Sequence, residues 1–589
     1  MAYEFDPSHV PVVADLLDRV ADSAPDLMRS WERLAALEEY QLLDEDLKAE
    51  MDFLFVYELQ EDLGSAGDVK LVESGLSLTA TRPMSQTPAS AWQLWSNVAA
   101  HLRSLVIQAH IADMLLTGKL QRKPEHAAST IAWYLKASEI VELPAQEVAL
   151  ALGRANTIAR SRGMAEELTV RAKMHLRSEA FVANRADGGP ALTLLAALSV
   201  PPRGGVFEPN ERESVRTRLL ALGESSSTFI DEIGKTLARL ADNVAELEFA
   251  RRWHVEQYLT LATSADHGMR KMHHAQTAAD LASKYGLQDL KDSAVLVMQS
   301  VDPDSMGWET VRTEGTMSKN VFRAYLRRYR RARHWGHALS VFLAGPSPSG
   351  DHQSNVRSAE RAAMGSIRAF ITRTVFGTHG LPERTDGDFM NDEIVRAETI
   401  MLSTTSILLN LELEYVRDRF SPPKADQIAD WMVDKLSADS TLAGQFANAL
   451  VLHWDAKYSD SARLSIPLVE SAARGLLLTL DEPLYRTQQG KSPGRYPALD
   501  FYIDPLSDRN LDPDWVRALR VTLLSPGMNL RNLAAHGFQM NFSASQSALL
   551  LRLAGLFCAM PIGMGQDMLE AQPVVIRKRL RRRLGWVWV

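Results

Sequence analysis

Arg531, Asn532 and His536, in the segment SPGMNLRNLAAHGF (residues 525–538), are the side chains of this chain best suited to chemistry. Asn532 and His536 stand one helical turn apart and share a face. Arg531 falls about 140° around the helix from His536, at ~100° per residue. Its long side chain must therefore bend towards a common site, or serve a site completed by another chain. Pro526 and Gly527 mark a turn, and Asn529 is placed to cap a helix whose first turn carries Arg531 and Asn532. Leu530, Leu533 and Ala534 suit the buried side of that helix.

This set fits cleavage of RNA without a metal. The ribose 2′-hydroxyl must lose a proton, charge building on the phosphate must be stabilised, and the 5′ oxygen must leave. Imidazole titrates near neutrality and acts as base or acid. Guanidinium offers a fixed fork of charged donors to phosphate. A helix N-terminus beside the same anion would add partial positive charge. The plainer reading of the same residues pairs the arginine with a nearby acid and the histidine, half-buried, with a carbonyl.

The words around the spacing add a family. RNLAAHG resembles the Arg-Asn-x-x-x-His signature of the HEPN superfamily (higher eukaryote and prokaryote nucleotide-binding), and NLRNLAAHG is similar to one bacterial branch of it. ARLSIPLVESAARGLL, residues 462–477, resembles the upstream helix of that branch, in which a Glu and an Arg four residues later follow a Pro; here these are Glu470, Arg474 and Pro467. The resemblance covers residues 390–570. It implies a helical bundle that dimerises so that Arg531 and His536 of both copies line one cleft. Asn532 would orient the scissile phosphate or the histidine, and Glu470 would hold Arg531 or Arg474. Read locally, Glu470 forms an i, i+4 ion pair with Arg474. Members often act as ribonuclease toxins or defence effectors held in check by another domain or partner; others only bind nucleotides or RNA.

The elements that must position these residues read as helices. A chain of 589 residues suggests about three to four domains. Its 46% hydrophobic and 23% charged content is that of a globular protein. Glu4 and Asp6 stand where a signal peptide would be basic, and the apolar run 548–561 is interrupted by Arg552, so a cytoplasmic protein without a membrane span is expected. Cys558 is the only cysteine, which excludes intrachain disulfides and cysteine-rich zinc sites. The net charge is −8, but residues 1–70 hold 18 acids against 5 bases, leaving +5 on the rest. The acidic balance therefore does not exclude a nucleic-acid partner.

The expected class is all-α, with a solenoid-like N-terminal region. The periodicity divides the chain into an acidic helical segment (1–88), a helical-repeat-like region (89–345), a linker and transition (346–389), the HEPN-like helices (390–570) and a basic tail (571–589). Helix is expected over 30–63 and a short strand or hairpin within 65–88. The Gly/Pro/Ser run 344–356 is the clearest linker. Helices are expected over 514–524, 528–540 and 543–560, after a polar loop at 481–496.

Two basic stretches invite RNA. The tail carries Arg577, Lys578, Arg579, Arg581, Arg582 and Arg583 without an acid, followed by Trp586 and Trp588 for stacking; alternatively it is a solvated helix face. Residues 321–337 carry six arginines around a stripe of Phe322, Tyr325, Tyr329 and Ala332; they would bind RNA or clasp the acidic N-terminal segment in cis, and the preferred reading is a solenoid helix with a basic outer face. His273 and His274, near His254 and His267, lack the spacing of a metal site, and no nucleotide or cofactor motif is found. His453, Trp454 and Asp455 end a helix, where His453 could steady the site or supply C-terminal charge.

The expected activity is a metal-independent endoribonuclease that leaves 2′,3′-cyclic phosphate ends. Its partners would be tRNA or single-stranded RNA, a second copy and a regulatory protein. Residues 1–345 would act as sensor, platform or inhibitor. The alternative is an inactive helical scaffold for RNA or protein.

Overall fold

The computed structural model describes residues 3–558 apart from 24–26, 63–64, 66, 74–82, 119–122, 209, 310–317, 365, 367–373, 378–379, 386–387, 489–491 and 510. The basic tail and its two tryptophans lie outside the described residues. The class is all-α: among the described residues there are 27 α-helices and two small antiparallel hairpins. None of these helices is long and apolar enough to cross a membrane.

The chain folds as two compact units, Met1–Trp308 and Glu309–Val589. In the first, successive helices pack on their sequence neighbours, as short turns dictate. Pro124–Ala137, Ala145–Arg162, Glu166–Ala183 and Gly188–Leu198 form one such series, and Val244–Ser264, Gly268–Tyr285 and Gln288–Gln299 another. The hairpin pairs Tyr57–Glu61 with Val69–Glu73, in register from Tyr57↔Glu73 to Glu61↔Val69. Its first strand thus takes residues expected to be helical. Partly buried Arg154 helps to place the second. Its guanidinium forks onto Asp113 at 2.7 Å for both contacts and also donates to the Val69 carbonyl at 3.2 Å.

The second unit is built around Ala544–Cys558, in which every side chain from Ser547 to Cys558 is buried. Phe389–Arg419, Ser440–Trp454 and Tyr458–Thr479 surround it. A helix apolar on all faces belongs in an interior, and this one is the interior. Its one charge, Arg552, donates to the carbonyls of Phe342, Gly345 and Pro346 and lies 5.0 Å from the Trp515 ring. Those carbonyls lie in the last turn of the Trp335–Leu343 helix and just beyond it, so the arginine collects acceptors at the helix end.

The boundary between units therefore falls at 308/309, ahead of the expected linker. Residues 344–356 are packed into the second unit: the Ser347 and Ser349 hydroxyls donate to the Asp514 carbonyl at 2.7 and 2.9 Å, and both serines are buried. Leu499–Asp508 is a further helix, with Leu499, Tyr502, Ile503 and Leu506 buried at helical spacing. Beside it, Pro513–Leu523 carries Arg517, which forks onto fully buried Glu398 at 2.6–3.0 Å; His352 Nδ1 meets the same carboxylate at 3.0 Å.

Candidate functional site

The motif segment leaves the Pro513–Leu523 helix through a turn that doubles back on it. The Met528 amide donates to the Val521 carbonyl at 2.6 Å, and a Cβ on Gly527 would lie 1.9 Å from that oxygen, so only glycine fits. The helix that follows is short, Leu530–Ala535. Asn529 does not cap it: its backbone is left-handed (φ 54°, ψ 26°) and its side-chain oxygen accepts from Asn532 Nδ2 at 2.8 Å. His536 is the C-terminal cap and Gly537, at φ +77°, ends the helix. The expected helix to residue 540 is thus cut short, and six residues make too small a dipole for a helix-end contribution to anion binding. Leu530 and Leu533 are buried as expected.

Arg531 is half-buried and oriented from two sides. Its Nη1 donates to Asn532 Oδ1 at 2.8 Å and its Nη2 to Glu470 Oε2 at 3.2 Å. Glu470 therefore serves Arg531 and not its helical neighbour Arg474, which makes no ion pair among the described residues and lies 5.6 Å over the Tyr496 ring. Glu470 comes from the middle of Tyr458–Thr479, one turn past exposed Pro467. The near end of that helix holds the loop after the motif: Arg463 Nη2 donates to the Met540 carbonyl at 2.5 Å and Ser459 Oγ accepts from the Phe542 amide at 3.0 Å. Arg463 and Ser459 were not singled out in the sequence, where nothing local marks them. The sequence places Asn529 as a cap, and the left-handed backbone it takes instead is one that asparagine tolerates.

The His536 imidazole is exposed and forms no hydrogen bond among the described residues. Two and four residues further on, Phe538 and Met540 are 58% and 56% exposed. The arrangement combines a solvent-reachable imidazole with a guanidinium fixed by a carboxylate and an amide. It can exchange protons with a bound molecule and present charged donors to an anion.

His453 has a different place from either expectation. It is buried, with Nδ1 2.9 Å from Ser547 Oγ, which donates in turn to Ser461 Oγ. Burial, aided by nearby Arg417, pushes its pKa down from 6.5 to about 4, so at neutral pH it carries no charge for a helix end. Above pH 6.5 the ring is neutral in folded and unfolded chains alike. Between 6.5 and 4 only the unfolded chain takes the proton, so stability falls as pH drops through that window, by up to about 3 kcal/mol. Denaturant midpoints from pH 7 to 4 should fall less steeply for His453→Gln than for the natural chain; equal slopes would contradict this.

Residues 321–337 belong to the second unit and do not form one helix. They run as Lys319–Tyr325, a single turn Arg327–Arg330 and the start of Trp335–Leu343. The expected stripe is real, since Tyr329 and Ala332 are buried and Phe322 and Tyr325 partly so. No group of three or more His, Cys, Asp or Glu suited to a metal occurs among the described residues.

No protein-family model matches the chain, and no curated protein or solved structure matches it either.

Proposed function

We propose that the second unit is a metal-independent endoribonuclease of HEPN type, regulated by the first unit in the manner of a toxin or defence effector. The observation that carries the reading is an Arg531 guanidinium aligned by Glu470 and Asn532, five residues before an exposed His536 in the same short motif. In the proposed reaction the 2′-oxygen attacks phosphorus, its proton passes to His536, and the P–O5′ bond breaks. The leaving 5′ oxygen is protonated by the His536 of a second copy, and a 2′,3′-cyclic phosphate remains. Arg531 stabilises the charge gathering on the phosphate, and Asn532 keeps its fork in plane. Exposed Phe538 and Met540, two and four residues after His536, support a face that a second copy covers.

The full chain should degrade tRNA or single-stranded RNA in EDTA, and a strict requirement for Mg²⁺ would end this assignment. Light scattering should report a dimer; a strict monomer with full activity would remove the composite site.

One observation favours the scaffold reading: Arg531 already has a carboxylate partner in its own chain. Glu470→Gln separates the two. If Glu470 aligns the guanidinium for a transition state, cleavage should slow by about ten- to a hundredfold, chiefly in kcat, because misplaced groups lose their effective molarity. An unchanged kcat with only a lowered Tm would favour the scaffold.

A further inference from the structure

We propose that residues 323–333 form a docking surface for the phosphates of single-stranded RNA, carried on the second unit. The proposal rests on the nuclease reading and adds to it a place where substrate is held away from the reacting groups. Arg323, Arg327, Arg330, Arg331 and Arg333 are all exposed. Among the described residues none of the five makes a side-chain hydrogen bond or ion pair, and residues 318–350 contain no acid at all. In a chain with net charge −8, so many neighbouring guanidiniums left without carboxylates are a concentrated positive field.

The segment that displays them is firmly anchored. Leu326, Tyr329 and Ala332 enter the core of the unit. Arg328, the sixth arginine, turns inward onto Glu412, which is buried and also accepts from the Tyr325 and Tyr329 hydroxyls. Arg419 then fixes the backbone, donating to the carbonyls of Tyr329 at 3.0 Å and Ala332 at 3.2 Å. The face is thus ordered before any ligand arrives, which lowers the entropy lost on binding.

The chemistry favours a polyphosphate over an acidic protein. Stable protein interfaces need an apolar centre, and here the large apolar side chains point into the core while the arginines face solvent. Phosphates need only charge and forked donors, which guanidinium supplies. The crowding of cations is felt locally as well: burial, His334 and Arg333 together lower the pKa of His337, whose ring lies 4.0 Å from that of His334.

The test is binding of a fluorescent 20-nucleotide single-stranded RNA to the full chain carrying His536→Ala, with and without Arg→Gln at 327, 330, 331 and 333. Removing four phosphate contacts should weaken binding at least about tenfold near 100 mM salt. It should also flatten the plot of log Kd against log salt by roughly 3, at ~0.7 per contact. An unchanged affinity and slope, with folding intact by circular dichroism, would overturn the proposal. So would a polyglutamate of equal charge that binds as tightly as the RNA and is lost in the same variant. Cleavage that persists in His536→Ala would refute the nuclease reading and leave this binding result standing, so the two failures are distinguishable.

Discussion

His536→Ala is expected to lose RNA cleavage by about a hundred- to ten-thousandfold, the usual worth of a positioned acid–base group. The imidazole is exposed and makes no hydrogen bond among the described residues, so its removal leaves packing untouched. Stability should change by no more than about 0.5 kcal/mol. RNA affinity should likewise persist, because the ring contributes proton transfer and not charge pairing. Arg531→Lys offers a second view of the same centre. It keeps the charge but breaks the fork that Glu470 and Asn532 align, so it too should be strongly impaired. Activity within twofold of the natural chain in either variant would remove that residue from the mechanism.

The largest effect on stability should come from Arg517→Ala. Glu398 is fully buried and takes two Nε contacts, at 2.9 and 3.0 Å, and one from Nη2 at 2.6 Å. Without the guanidinium, a buried carboxylate is left with the His352 ring as its remaining side-chain partner among the described residues. Loss of one partner of a buried pair costs about 3–5 kcal/mol. In a domain of this size each kcal/mol shifts Tm by roughly 2–4 °C, so a fall on the order of 10 °C is expected. Arg517 lies in the helix that leads into the motif turn, so catalytic loss should accompany the thermal shift. The double variant Glu398→Gln/Arg517→Met should recover much of the stability, since an apolar or neutral pair avoids the stranded charge. A drop in Tm of less than 2 °C for Arg517→Ala would show the pair to be unimportant.

The helices were legible in the sequence because their periodicity is local. Ala544–Cys558, Ser440–Trp454 and Pro513–Leu523 fall where the apolar spacing puts them. Leu499–Asp508 carries the same spacing, but it is interrupted by Pro505, and no element is expected from the sequence between 496 and 514. The end of the motif helix was also written locally, in Gly537, whereas the left-handed backbone at Asn529 replaced the cap that its side chain suggested. What could not be read were partners far along the chain. Gly, Pro and Ser at 344–350 look like a linker until Asp514 and Arg552, more than 160 residues away, take up their polar groups. The choice of Arg531 over Arg474 as the partner of Glu470 is of the same kind. An i, i+4 neighbour is the local candidate, and only packing of the two helices brings the other arginine within 3.2 Å.

The central claim is that His536 and Arg531 cut RNA by attack of its own 2′-hydroxyl, and the most direct measurement reads the ends of the products. Full-length protein would be incubated with a defined tRNA in EDTA and the fragments analysed by mass spectrometry. The expected fragments carry 2′,3′-cyclic phosphate and 5′-hydroxyl ends, and they are missing when His536→Ala replaces the natural chain. Fragments with 3′-hydroxyl and 5′-phosphate ends, or the same cyclic ends from the variant, would contradict it.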